Sequence, residues 1–145
     1  MITPLELYQS LITMIEWTNQ QQETYRKDYF ISDLSWAKEY STIKFCVSRQ
    51  SGHSRFAFEL ISKYYENAIC VFKNFTFLNN FSNKFRISLN KMVTVSNLNI
   101  LLGKGKFDSV IVDCASFFSK NEIESIYSFF KHNVSNPKFC FIFLE

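Results

Sequence analysis

Apolar positions along the chain follow two spacings, and the switches between them predict the elements. Tyr8, Leu11, Ile12 and Ile15 recur every three or four residues, the spacing of one helix face. Thr3-Pro4-Leu5-Glu6 supplies a start for that helix: a capping hydroxyl, a proline at the first helical position and an acid three residues after the cap. The polar stretch Asn19 to Lys27 either extends the helix or forms a solvated turn, and Asp33 to Tyr40 is a short second helix at most. Thr42 to Ser48 is short, β-branched and aromatic, as a strand is. Gly52 to Glu66 reads as a helix with Ala57, Leu60, Ile61 and Tyr64 on one face, followed by a strand over Ala68 to Phe72. In the stretch 74–91, Phe85, Ile87 and Leu89 alternate with Arg86, Ser88 and Asn90 as in a half-exposed strand. Val93 to Leu102 includes a further strand, ended by the turn Gly103-Lys104-Gly105-Lys106. Val110-Ile111-Val112 forms a strand that stops at Asp113. Ser119-Lys120-Asn121-Glu122 is a second capping box, and Ile123, Ile126, Tyr127 and Phe130 follow on one face of its helix. Pro137 ends the connection before a last apolar strand, Phe139 to Leu144.

Several of these strands are apolar throughout and do not alternate. Strands covered on both faces look like this, and they belong to parallel sheets with helices on either side. The fold class expected is therefore α/β: a single-domain, mainly parallel sheet with flanking helices. Residues 1–41 form a helical segment packed on a core of residues 42–145. A length of 145 residues fits one domain, and no internal repeat interrupts it.

Composition narrows the picture. Hydrophobic residues make up 47% and charged residues 20%, which excludes a disordered tail. With only 3 Gly and 2 Pro, linker-rich and collagen-like chains are excluded too. A formal charge of +3 compels neither nucleic-acid nor membrane binding. No run reaches the ~18 apolar residues of a membrane span, and the acids in the first helix argue against a signal peptide. Cys46, Cys70, Cys114 and Cys140 have no metal-site spacing and read as buried, reduced thiols, so the expected compartment is the cytoplasm.

Two segments carry candidate chemistry. The first, Val47-Ser48-Arg49-Gln50-Ser51-Gly52-His53-Ser54, sits between a strand and a helix start, where a phosphate-binding loop belongs. The P-loop pattern is G-x-x-x-x-G-K-S/T. Gly52 and Ser54 match it, Val47 stands at the first Gly and His53 at the Lys. The second segment runs from Phe107 to Phe117 and places Asp113 at the end of an apolar strand, the position of a carboxylate that holds Mg²⁺.

Together these segments resemble the ATPase domain of phage large terminases, within the P-loop NTPases. Those domains carry a loop like S-R-Q-x-G-K-S/T and, further along, a strand like F-D-x-x-I-x-D-E-A-x-F. The corresponding residues here are Ser48-Arg49-Gln50-Ser51-Gly52-His53-Ser54 and Phe107-Asp108-Ser109-Val110-Ile111-Val112-Asp113-Cys114-Ala115-Ser116-Phe117. The resemblance covers residues 42–145 and leaves out the nuclease domain of a terminase. It implies ATP and Mg²⁺ as ligands, with Ser48, Arg49, Gln50, Ser51, Gly52, His53, Ser54 and Arg55 around the phosphates and Ser54 and Asp113 on the metal. It also implies a viral origin and a host-cytoplasmic location, in keeping with the Phe-, Asn-, Lys- and Ile-rich composition of an AT-rich genome. Gln22 corresponds loosely to an upstream glutamine that contacts adenine in such ATPases.

The departures define the function expected. His53 is shorter than Lys and titrates near neutrality. Cys114 takes the place of the hydrolytic Glu, and a thiol is a poor base for activating water. Glu122, nine positions on, belongs to a capping box. No catalytic residue is assigned. The expectation is an accessory or regulatory pseudo-ATPase of P-loop type, linked to DNA packaging or DNA metabolism and binding nucleotide weakly or not at all, with a protein partner or a second copy, DNA as a further partner, and no membrane. Two alternatives stay open. One is a DNA- or protein-interaction module without nucleotide, in which Gly52-His53-Ser54 is simply a turn and cap. The other is a minimal active NTPase in which Arg49 or Arg55 replaces the missing Lys. Lys104 and Lys106 are expected at a solvated turn, and Phe75, Phe77, Phe81 and Phe85 in core packing rather than base stacking. His132 is expected near a helix C-terminus, with no catalytic role. Neither a Ser/His/Asp triad nor a glycosidase carboxylate pair can be assembled.

Overall fold

The computed structural model describes residues 4–26, 28, 31–45, 53–104, 106–136 and 138–145. Five strands form one all-parallel sheet: β1 (Thr42–Phe45), β2 (Ala68–Phe72), β3 (Met92–Thr94), β4 (Ser109–Asp113) and β5 (Cys140–Leu144), in the order β1-β5-β4-β2-β3. The helices are α1 (Pro4–Arg26), α2 (Asp33–Glu39), α3 (His53–Glu59), α4 (Phe75–Phe85) and α5 (Lys120–Phe130). α3 runs on into a turn of π-helix, Leu60–Tyr64, and short 3₁₀ segments fill the other connections.

The three central strands are buried along their whole length, so their alternate side chains supply two separate cores. Ile69, Val71, Val110, Val112, Phe141 and Phe143 face one side and pack with Trp36 of α2 and Ile126, Tyr127 and Phe130 of α5. Cys70, Phe72, Ile111, Cys140, Ile142 and Leu144 face the other and pack with Leu11 and Ile15 of α1, Phe56, Leu60 and Ile61 of α3 and its extension, and Leu78 and Phe81 of α4. Unbroken apolar strands thus meant what they predicted, an α/β domain with helices on both faces of a parallel sheet. The right-handed crossovers required of parallel strands put α3 and α4 on one face and α5 on the other. α1 and α2 each bury residues in one of these cores, so the segment before β1 lies on the sheet.

Two predicted elements differ. The stretch 85–90, expected as a half-exposed strand, is the end of α4, a connection and a 3₁₀ turn over Leu89–Lys91. Asn74 caps α4 by accepting a bond from the Phe77 N–H, and the helix stops where Arg86 turns left-handed, at φ 54°. The period-two pattern was a coincidence of Phe85 packing against Phe58 and Phe81 on the helix and Ile87 packing beyond it. The strand expected within Val93 to Leu102 shortens to Met92–Thr94, and Val95–Leu101 is 3₁₀ with Val95, Leu98 and Leu101 buried. The Thr3 cap lies outside the described residues. α1 continues through the polar stretch to Arg26.

Candidate functional site at the C-terminal edge of the sheet

In a parallel α/β sheet, the loops leaving the C-terminal ends of the strands form the binding edge. Here that edge brings together the start of α3, the exits of β2 and β4 and the first turn of α5. Asp113 ends β4 and pairs in register with Leu144 of β5. It shares its face with Ile111, the face covered by α3, and is 5% exposed. Ser54, in the first turn of α3, donates its hydroxyl hydrogen bond to Asp113 Oδ2 at 3.3 Å, across 59 residues of sequence. The two residues predicted to hold a metal are therefore joined, although β5 separates their strands in the sheet.

Ser48, Arg49, Gln50, Ser51 and Gly52 lie outside the described residues, as do Cys46 and Val47. His53 opens α3. Arg55 is exposed and faces Glu59 one helical turn on, with Nε 3.5 Å from Oε1. The partner shown for its charge is thus on its own helix, not at the Ser54–Asp113 contact.

Cys114 follows Asp113 in the left-handed region, at φ 54°, which a non-glycine residue adopts only at a cost. It is half-buried. Beneath it, burial first, and then the Asp113 carboxylate and the Cys114 thiol, push the Cys70 thiol well above its ordinary value. Cys140 is pushed up to about 11, mainly by burial. Both read as inert core thiols, in line with their expected burial.

The capping box forms as the sequence implies. Ser119 Oγ accepts from the Glu122 N–H at 3.2 Å, and Glu122 Oε1 accepts from the Ser119 N–H at 2.8 Å. Glu122 also pairs with Lys73, the residue that follows β2. The Lys73 hydrogen bond, then the Ser119 N–H, hold the Glu122 carboxyl below its usual range. A carboxylate so engaged does not serve as a base for water. Sequence reasoning missed Lys73; its signal is a single cation directly after a five-residue apolar strand.

The other candidates settle elsewhere. Asn19 Nδ2 donates to the Lys138 carbonyl at 2.8 Å, ahead of β5 and thus at the N-terminal edge of the sheet. Gln22 lies within a turn of Asn19 on α1, toward the edge opposite Asp113. A cavity of about 570 Å³ also opens at that N-terminal edge, lined by Ile15, Asn19, Tyr65, Asp108 and Lys138 among others. Phe81 is buried and Phe77 and Phe85 are half-buried, while Phe75 is 57% exposed. His132 is exposed, on the 3₁₀ turn after α5, with Nδ1 3.5 Å from Asp33 Oδ2.

No protein-family model matches this sequence, and no curated protein is detectably similar to it. Among the described residues, no helix is long and apolar enough to cross a membrane, and no group of three or more His, Cys, Asp or Glu side chains is arranged to hold a metal.

Proposed function

We propose that this domain is a P-loop-type pseudo-ATPase: it takes a Mg²⁺-bound nucleoside phosphate at the C-terminal edge of its sheet and does not turn it over efficiently. The observation that carries this reading is the Ser54 hydroxyl on the Asp113 carboxylate at 3.3 Å. A hydroxyl at the start of the helix after β1 and a carboxylate at the end of β4 are hard oxygen donors. Mg²⁺ is held in phosphate sites by one or two such groups together with phosphate oxygens and water. Ser54 would ligate the ion through its hydroxyl, and Asp113 would hold it directly or through a water. The bound ion would neutralise phosphate charge.

The rest of the edge supports binding without hydrolysis. Cys114 offers a half-buried thiol where a hydrolytic carboxylate is expected, and Glu122 is bonded to Lys73 and to the Ser119 N–H. A domain of this kind acts as an accessory or regulatory subunit, and the resemblance to terminase ATPases points to DNA packaging or DNA metabolism as its setting.

Calorimetric titration of the purified chain with ATP and Mg²⁺ tests the reading. The expected result is weak saturable binding, strengthened by His53→Lys, lost in Asp113→Ala, and accompanied by no release of phosphate. Absence of binding to both the parent and His53→Lys overturns the proposal, as does binding that Asp113→Ala leaves unchanged.

A further inference from the structure

The charges of the chain are unevenly distributed along it. Residues 67–107 contain six basic residues and no acidic one, leaving ten basic and thirteen acidic residues elsewhere. A net charge of +3 conceals a segment of +6 against a remainder of −3. The basic segment is β2, α4, β3 and the connection to β4, the end of the sheet farthest from β1.

α4 displays this segment to solvent in an ordered way. Leu78 and Phe81 point into the core, and the exposed positions form two adjacent lines along the helix. Phe75, Asn79 and Asn83 recur every four residues in one line, and Thr76, Asn80 and Lys84 in the other. Arg86 follows at the helix end. It holds a left-handed position, φ 54°, that Gly or Asn fills at lower cost. Among the described residues, neither Lys84 nor Arg86 pairs with a carboxylate. Past the helix, Asn90, Lys91 and Lys104 line a common hollow of about 210 Å³. Glu66 and Asn67 line it as well.

We infer that α4 and the turn after it bind single-stranded nucleic acid through its phosphates. Along α4 and Arg86 the face offers amide, hydroxyl and cationic donors with no carboxylate among them, over a helix about 16 Å long, and Glu66 enters only at the hollow beyond it. At its start an exposed Phe75 ring is available to a base, and stacking rings beside a cationic track are what unpaired strands require. The track shares no residue with the Ser54–Asp113 contact, so it stands whether or not nucleotide binds at the sheet edge.

The test is fluorescence anisotropy of the full-length chain with a labelled single-stranded oligonucleotide, over a series of salt concentrations from about 50 mM upward. The double variant Lys84→Gln with Arg86→Asn keeps a residue suited to the left-handed position. It should lower the log–log salt slope by about 1.4, at about 0.7 per lost phosphate contact. Affinity at about 50 mM salt should fall roughly 60-fold, the slope change carried down from about 1 M, while the melting temperature does not fall. Lys44→Gln, on the edge strand at the other end of the sheet, should change neither quantity. Absence of binding at the lowest salt overturns the inference, as does an unchanged slope in the double variant. Tighter binding of a duplex of the same sequence overturns the single-strand assignment. Equal competition by a poly-glutamate peptide would replace it with an acidic protein partner.

Discussion

Glu122 joins the first turn of α5 to the exit of β2, and replacing it separates two contributions that the structure superposes. Its carboxylate accepts from the Ser119 N–H and pairs with Lys73 Nζ, with about a quarter of the side chain exposed. The capping interaction contributes about 1 kcal/mol. The partly exposed ion pair contributes about 0.5–1 kcal/mol. Glu122→Gln retains the reciprocal cap, because Gln serves in a capping box, and loses only the charge. It should destabilise the domain by about 0.5–1 kcal/mol at pH 7, against about 2 kcal/mol for Glu122→Ala. A double-mutant cycle with Lys73→Met should return a coupling close to the Gln deficit. The pH dependence follows from the direction of the shift. The folded state holds the carboxyl below its unfolded value of 4.5, so the contribution is complete above pH 4.5 and disappears as pH falls through the lower, folded value. Urea denaturation at pH 7 and at steps below pH 4.5 measures this. A Gln variant as stable as the parent at pH 7 would refute the reasoning. So would a deficit that persists undiminished in acid.

Three further outcomes follow from the same geometry. Phe141 is fully buried, with ring centroids 4.9 Å from Tyr127 and 5.1 Å from Phe139, so Phe141→Ala should cost about 3–5 kcal/mol in urea denaturation. Cys114→Gly removes a side chain from a left-handed position and should raise stability by about 0.5 kcal/mol, read as a rise in melting temperature. With its pKa pushed up to about 11, Cys140 is thiolate in about one molecule per thousand at pH 8. Timed alkylation read by mass spectrometry should therefore modify half-buried Cys114 before Cys70 or Cys140.

What was legible in the sequence was what local rules decide. Unbroken apolar runs marked strands buried on both faces, and Ser119 and Glu122 announced the start of α5 through a motif complete within four residues. The reading failed where two periods fit the same residues. Phe85, Ile87 and Leu89 alternate like a strand, yet Phe81 and Phe85 lie one helical turn apart, and Asn74 three residues ahead of Phe77 was the cap that should have decided for a helix. A single asparagine is a weaker signal than an alternating run, and only packing against Phe58 and Phe72 resolves it.

The candidate site was legible in its residues but not in its assembly. Ser54 and Asp113 could be nominated from their positions at a helix start and a strand end. Nothing in their spacing says that the strands leading to them lie two places apart. That separation is set by β5, the last strand in the sequence, which inserts between β1 and β4 and pairs Phe141 with Thr42 on one side and Val110 on the other. Without β5 there is no continuous sheet to carry α3 toward Asp113. The hydroxyl–carboxylate contact is thus a property of the whole topology, and the residues that fix it, Phe141 and Ile142 at the centre of both cores, have no chemistry of their own. The same reasoning explains why Lys73 escaped notice. Its partner Glu122 lies 49 residues away, and the two meet only because β2 and β4 are neighbouring parallel strands that end at the same edge of the sheet.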